Sequence, residues 1–288
     1  MATLSDFAQA ARPKTLPAAL VPVAVGLAVA GSKGSINPLN SCLAFIVALS
    51  VQIGTNYAND YSDGIRGTDE ARVGPTRLVA SGLASPRSVK YAAYTSFAIT
   101  ALAGLIIALR TSPWLILVGA LCILAGWLYT GGPKPYGYMA LGEVFVFVFF
   151  GLVAVVGTAY AALDKLIPLS FLASIPVGLL AVDLLMINNI RDIEGDKKSS
   201  KNTLAVLLGD KNSRYLYIFI LAAAFILAAV MAFYKPGVLD IFLALPLAVV
   251  PVKKVLAGAS KGDLIAVLVD TGRLQLVFGL LMVIGILL

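Results

Sequence analysis

The 288-residue sequence contains no histidine and only two cysteines. Without histidine, imidazole acid–base chemistry, His-ligated metals and Ser-His-Asp triads are all excluded. Cys42 and Cys122 sit in separate apolar runs with no CxxC partner, so neither a zinc site nor a disulfide framework is expected, and both read as buried packing residues. Charge is scarce as well: Asp, Glu, Lys and Arg make up 13% of the chain, against about 25% in soluble domains. Hydrophobic residues make up 59%, and mean hydropathy is +0.92, more apolar surface than one soluble core can bury. Carboxylates, amides, Lys, Arg and Tyr are what remain for chemistry.

A membrane span needs about 20 mostly apolar residues, fewer where flanking side chains reach to the interface. Nine intervals qualify: 15–31, 38–58, 89–109, 113–130, 140–162, 166–188, 214–234, 237–252 and 271–288. The chain therefore reads as an all-α, polytopic membrane helical bundle of about nine transmembrane helices. The first run has Arg12 and Lys14 ahead of it and Pro17 and Pro22 within it, with no small-residue cleavage pattern, so it reads as a span and not a signal peptide. If the N-terminus is cytoplasmic, all but four of the 22 basic residues fall on the inner side; the exceptions are Lys33, Arg110, Lys165 and Lys235. That asymmetry is the positive-inside signal. The net charge of +7 then faces anionic membrane lipid, and no nucleic-acid partner is expected. Two long inner connections, 59–88 and 189–213, follow the second and sixth spans. Their separation by four spans suggests a pseudo-repeat of 12–130 and 138–254 plus a ninth helix, all within one membrane domain covering 1–288.

Polar residues collect in those two connections. At 3.6 residues per turn, Asn56, Asn59, Asp60 and Asp63 share one helical face, with Gln52 a turn deeper. Asn188, Asp192 and Asp196 share a second face beside Asn189, followed by Lys197, Lys198 and Lys201. A row of amides and carboxylates at a membrane boundary is costly without a cationic partner. One such cluster alone fits a solvated juxtamembrane loop. Two with matching Asn-to-Asp spacing, each followed by Lys or Arg, fit carboxylates for Mg²⁺ beside cations for a diphosphate. Near the C-terminal end, Asp270 and Arg273 stand three residues apart and are expected to pair.

Asn59-Asp60-x-x-Asp63, with Asp69 beyond it, and Asp192-x-x-x-Asp196 resemble the paired Asp motifs of the UbiA-type intramembrane prenyltransferases. The likeness extends along the chain: Arg12-Pro13-Lys14-Thr15-Leu16, the stretch from Gly74 to Gly82, Tyr129 to Tyr138, Leu141-Gly142-Glu143, and Asn202-Thr203-Leu204-Ala205. These phrases are most similar to the branch that prenylates 1,4-dihydroxy-2-naphthoate. One departure is that position 67 is Gly where the superfamily pattern carries an acid, which here appears at Asp69.

The resemblance implies an active site on the cytoplasmic side of a multi-pass protein of the bacterial cell (inner) membrane. It implies transfer of a polyprenyl group from a polyprenyl diphosphate to 1,4-dihydroxy-2-naphthoate, with release of diphosphate and CO₂, giving demethylmenaquinone. Carried over by motif position, Mg²⁺ would be held by Asn59, Asp60, Asp63, Asp192 and Asp196, the four aspartates being catalytic. The diphosphate would be met by cations drawn from Arg12, Arg72, Arg77, Lys134, Lys198 and Lys201, foremost Arg12 and Lys134; each also suits a lipid-headgroup anchor. The acceptor pocket would draw on Gln52, Asn56, Asp69, Tyr129, Tyr136, Tyr138, Asn188 and Asn189. Other aromatic acceptors, 4-hydroxybenzoate or homogentisate among them, remain within the same superfamily. A cation-coupled transporter is the reading from another class, but transporter sites tend to lie near the bilayer midplane, whereas these acids sit at inner helix ends.

Overall fold

The computed structural model describes residues 2–68 and 76–288. Asp69 and Arg72, both expected at the site, lie outside the described residues. Among the described residues every apolar run is helical and no strand forms; a single isolated bridge joins Met139 to Asn202.

Helix α1 (Leu4–Ala10) opens on a capping box between Thr3 and Asp6. Arg12 then adopts a left-handed conformation with φ 56°, and a short 3₁₀ turn, Pro13–Thr15, leads into α2 (Pro17–Gly31). The proline start of α2 suits the first helical turn, where its missing N–H costs nothing. The chain bends by 56° between Leu4–Thr15 and Pro17–Gly31. Helix α3 (Pro38–Arg66) begins where the Asn37 side chain accepts the Asn40 N–H at 3.1 Å, and it stops at Gly67, whose φ of 74° suits glycine. Helices α4 (Pro86–Arg110) and α5 (Trp114–Leu128) follow, then α6 (Gly142–Leu163), which contains a π-helical turn at Phe147–Val153. The long α7 (Pro168–Lys198) leads to α8 (Leu204–Val230), broken at Gly209 with φ 76°. A 3₁₀ stretch, Pro236–Ala244, runs into α9 (Leu245–Leu256), and α10 (Lys261–Leu287) starts from a Ser260–Asp263 capping box.

Each of the nine intervals read as a span overlaps one of these helical segments among the described residues. Among the described residues, six helices are long and apolar enough to cross a membrane, and the bent α1–α2 pair, taken as one span, makes a seventh. Helix α5, with 15 residues, falls short of that length, as do the 3₁₀ stretch Pro236–Ala244 and α9 when each is taken singly.

The largest apolar cluster joins α2, α6, α7, α8 and α10, and includes the fully buried Leu180, Tyr217 and Phe278. A second cluster places Tyr57 of α3 and Phe97 of α4 around Leu78. Large side chains such as Leu102, Leu109, Phe219, Ile226 and Leu243 point outward, as a lipid-facing surface requires. Cys42 belongs to that outer surface: it is exposed on α3, not buried as expected, because an apolar run destined for lipid has no inward requirement on every face. Asp270 does meet Arg273, at 3.6 Å, and also Lys254 at 3.5 Å.

Candidate active site

Both acidic motifs are helical. Helix α3 runs on through Arg66 and α7 through Lys198, so the two inner connections are shorter than the sequence suggested. Where these helix ends approach the connection 129–141, a cavity of about 200 Å³ opens. Arg12, Gln52, Asn56, Asn59, Asp63, Arg77, Asn188, Asn189 and Lys201 line its polar end, and Cys122, Phe145, Phe149, Phe150 and Leu185 are among the residues of its apolar part.

The bent N-terminus forms one wall. Asn56 Nδ2 donates to the Ala11 carbonyl at 2.9 Å, and the Tyr57 hydroxyl donates to the Phe7 carbonyl at 2.9 Å. These bonds tie α1 to α3 and hold the left-handed Arg12 at the cavity. Asp60 holds a second wall: its carboxylate accepts the main-chain N–H of Leu78 at 2.8 Å and of Val79 at 3.0 Å. Gly64 permits that close approach, since a Cβ there would lie 2.5 Å from the Val79 side chain. The half-turn so fixed carries the buried Arg77 into the cavity lining.

The connection between α5 and α6 closes the polar end. Thr130 donates to Asn59 Oδ1 at 2.8 Å, and the Arg66 guanidinium caps the Thr130 and Gly132 carbonyls. Tyr138 donates to Asp63 Oδ1 at 2.9 Å and meets the Thr68 hydroxyl at 3.0 Å. The Lys201 ammonium stands over the Tyr138 ring, 5.5 Å from its centroid, and pairs with Asp196 at 3.4 Å. Burial, then the nearby Asp63 charge, pushes the Tyr138 phenol well above its ordinary range, so it stays a donor. Burial does the same for Tyr136, whose hydroxyl is committed to the Ala125 carbonyl at 2.9 Å. Its ring stacks on Phe145 at 3.9 Å between centroids and meets Tyr129 edge-on at 5.4 Å.

Of the expected residues, the cavity gathers Arg12, Arg77 and Lys201 among the cations, Asn59 and Asp63 among the metal candidates, and Gln52, Asn56, Tyr129, Tyr136, Asn188 and Asn189 among the acceptor candidates. Asp60 does not line it, being turned to the main chain of Leu78 and Val79. Asp192 is gripped by Arg191 through two bonds of 2.8 Å, and Asp196 is buried beside Lys201; neither lines the cavity. Lys134 and Lys198 are exposed outside it. Sequence reasoning had not assigned the site roles of Thr130 and Arg66, or that of Glu143, whose carboxylate accepts from Asn189 at 2.8 Å. Glu143 carried a usable signal, since an acid inside an apolar run is rarely idle.

Among the described residues, no three acidic or cysteine side chains converge closely enough to hold a metal by themselves. Mg²⁺ asks less than that, often taking one or two protein carboxylates and completing its shell with water and phosphate oxygens. Asp63 with Asn59 meets that smaller demand, and the cations at the same polar end of the cavity suit a polyanion.

A lipid-facing helical bundle whose deep cavity is acidic, amidic and cationic at one end and aromatic beyond defines an integral, multi-pass membrane protein with a built polar site. The model of the UbiA prenyltransferase family matches residues 19–263, and the chain belongs to that family. It is 48% identical over 280 residues to a 1,4-dihydroxy-2-naphthoate octaprenyltransferase of Mycobacterium tuberculosis, covering 97% of this chain and 96% of that one. A protein of the same description from Bacillus subtilis is 34% identical, with 97% and 91% covered. Among solved structures, an apo UbiA homolog from Aeropyrum pernix K1 superposes with a TM-score of 0.71 at 20% identity, over 94% of this chain and 96% of that one. A UbiA homolog from Archaeoglobus fulgidus bound to GPP and Mg²⁺ gives 0.63 at 17% identity, over 96% and 99%.

Proposed function

We propose that this protein is a 1,4-dihydroxy-2-naphthoate polyprenyltransferase of a bacterial inner membrane, acting in menaquinone biosynthesis. The near full-length 48% identity to a protein of that activity carries the reading, and the cavity supplies matching chemistry. Arg12, Arg77 and Lys201 meet the diphosphate of a polyprenyl donor, and the apolar length of the cavity, past Phe149 and Phe150, takes the start of the tail. Asn59 and Asp63 would hold Mg²⁺, its remaining positions filled by water and diphosphate oxygens, while Asp192 and Asp196 are committed to Arg191 and Lys201. When bound, the metal stabilises charge on the departing diphosphate.

The allylic C–O bond breaks with its electron pair leaving on diphosphate, whose charge the three cations offset. The naphthoate ring carbon bearing the carboxylate forms the new C–C bond to the allylic carbon. The bond to the carboxylate then breaks, CO₂ departs, and its electron pair restores the ring, giving demethylmenaquinone in its quinol form. Tyr129, Tyr136 and Phe145 provide an aromatic wall for the ring, and the hydrogen bond from Tyr138 fixes the Asp63 side chain in place. Because the carboxylate leaves in place of a ring proton, no histidine is required.

The purified protein in detergent, given a polyprenyl diphosphate, dihydroxynaphthoate and Mg²⁺, should yield a product whose mass shows one prenyl group added and CO₂ lost. Failure to prenylate this acceptor while prenylating 4-hydroxybenzoate or homogentisate would overturn the acceptor; no prenylation at all would overturn the reaction.

A further inference from the structure

Asn189, on α7, lines the cavity, and Glu143, in the first turn of α6, does not; both are only 6% exposed. The two side chains meet at 2.8 Å, Asn189 Nδ2 donating to Glu143 Oε1. The second carboxylate oxygen, Oε2, is buried with no hydrogen-bond partner among the described residues. A carboxylate can accept but not donate, whereas an amide has an accepting end and a donating end. Glu143 therefore selects which end of Asn189 faces which way: the NH₂ turns toward α6 and the carbonyl oxygen is left for the cavity. Holding an acid in this apolar environment is costly. Two carbon-only side chains of similar size would pack α6 on α7 without that cost, so the pair requires an explanation beyond packing.

Resting on the proposed acceptor, we infer that Glu143 is a positioning residue that makes Asn189 a fixed hydrogen-bond acceptor, and that this acceptor selects aromatic substrates by a ring hydroxyl. A hydroxyl donates to Asn189 Oδ1; a ring lacking it leaves a buried carbonyl oxygen unsatisfied. Loss of such a bond is commonly worth about tenfold or more in binding. Replacing the carboxylate with an amide removes the selection, because Gln can present either a donor or an acceptor and Asn189 is then free to turn over.

The test compares inhibition by 1-hydroxy-2-naphthoate, 4-hydroxy-2-naphthoate and 2-naphthoate, each competing with dihydroxynaphthoate. The wild type should favour at least one hydroxylated compound over 2-naphthoate by about tenfold. In Glu143→Gln that preference should shrink to about threefold or less, the KM for dihydroxynaphthoate should rise, and the KM for polyprenyl diphosphate should stay within about twofold. The exchange Glu143→Gln with Asn189→Asp should restore the preference, since the introduced amide on α6 would then donate to a carboxylate on α7 whose other oxygen faces the cavity. If Glu143→Gln does not accumulate as folded protein, Glu143→Asp, which withdraws the carboxylate by one methylene, carries the same expectation. An unchanged preference in the variant, or an equal rise in both KM values, overturns the inference. Wild-type turnover of dihydroxynaphthoate is the control: its absence defeats the acceptor assignment, whereas its presence with an unaltered preference defeats only the role of Glu143.

Discussion

Asp60 accepts the main-chain N–H of Leu78 at 2.8 Å, so an aspartate of the first acidic motif serves to fasten the segment that carries Arg77. The same carboxylate takes the Val79 N–H at 3.0 Å, and Asp63, one turn away, is spared for the cavity.

The two aspartates should therefore fail in different ways. Asp60→Ala strands two N–H groups, each costing about 1–3 kcal/mol. Its Tm in detergent should fall together with activity. Asp63→Asn should hold its Tm and lose turnover by a hundredfold or so, the scale of removing one charge-stabilising contact. Melting and turnover measured on both variants check this; a lower Tm in Asp63→Asn than in Asp60→Ala would contradict it.

Metal removal gives a second prediction. EDTA should abolish prenylation, Mg²⁺ should restore it, and Asp63→Asn should need a higher Mg²⁺ concentration for half-maximal rate. Turnover indifferent to chelation would refute the proposed role of Asn59 and Asp63.

The cations divide in the same manner. Lys201 and Arg77 line the cavity, whereas Lys198 is exposed away from it. Lys201→Ala and Arg77→Ala should raise the KM for polyprenyl diphosphate by about tenfold or more, the cost of a charged hydrogen bond. Lys198→Ala should leave it within about twofold, as an exposed charge would. Steady-state kinetics with varied donor decide.

The raised ionisation of Tyr138 sets a sign for pH dependence. A group whose folded pKa lies above its unfolded value contributes stability below the unfolded pKa and loses it as pH climbs through the folded one. The Tyr138–Asp63 bond should thus persist across neutral and mildly alkaline pH and fail only beyond the ordinary tyrosine range near 10. In a phenolate absorbance titration, wild type and Tyr138→Phe should superimpose up to that range. An early-titrating tyrosine missing from the variant would count against the assignment.

Much of this architecture could be read from the chain, because lipid imposes long apolar runs and a charge asymmetry that need no tertiary information. The helical face of the first motif was equally legible, and Asn59 and Asp63 do turn to the cavity. Asp60 lies about 80° round from Gln52 at 3.6 residues per turn, at the edge of the stripe, and there a tertiary main-chain partner outside the motif claims it. Periodicity places a residue on a face but does not say what stands opposite. For the same reason Glu143 could be flagged only as an acid in an apolar run, while its bond to Asn189, 46 residues on, belongs to the packing of α6 on α7. Lys134 lies in a short connection and Lys198 on the last turn of α7, and charge counting resolves neither how the connection folds nor which side of the helix end faces the cavity.

The π-helical turn Phe147–Val153 divides α6 into two parts that no longer share a rotational phase. An extra residue in one turn offsets everything after it about the helix axis. Gly142–Val146 can then set Glu143 against α7, while Ala154–Leu163 lays its small side chains along α2, where the Gly26 position abuts Val155 and Thr158. The turn thus works as a phase shifter, letting one helix answer two unrelated neighbours, and Phe149 and Phe150 line the cavity where the phase changes.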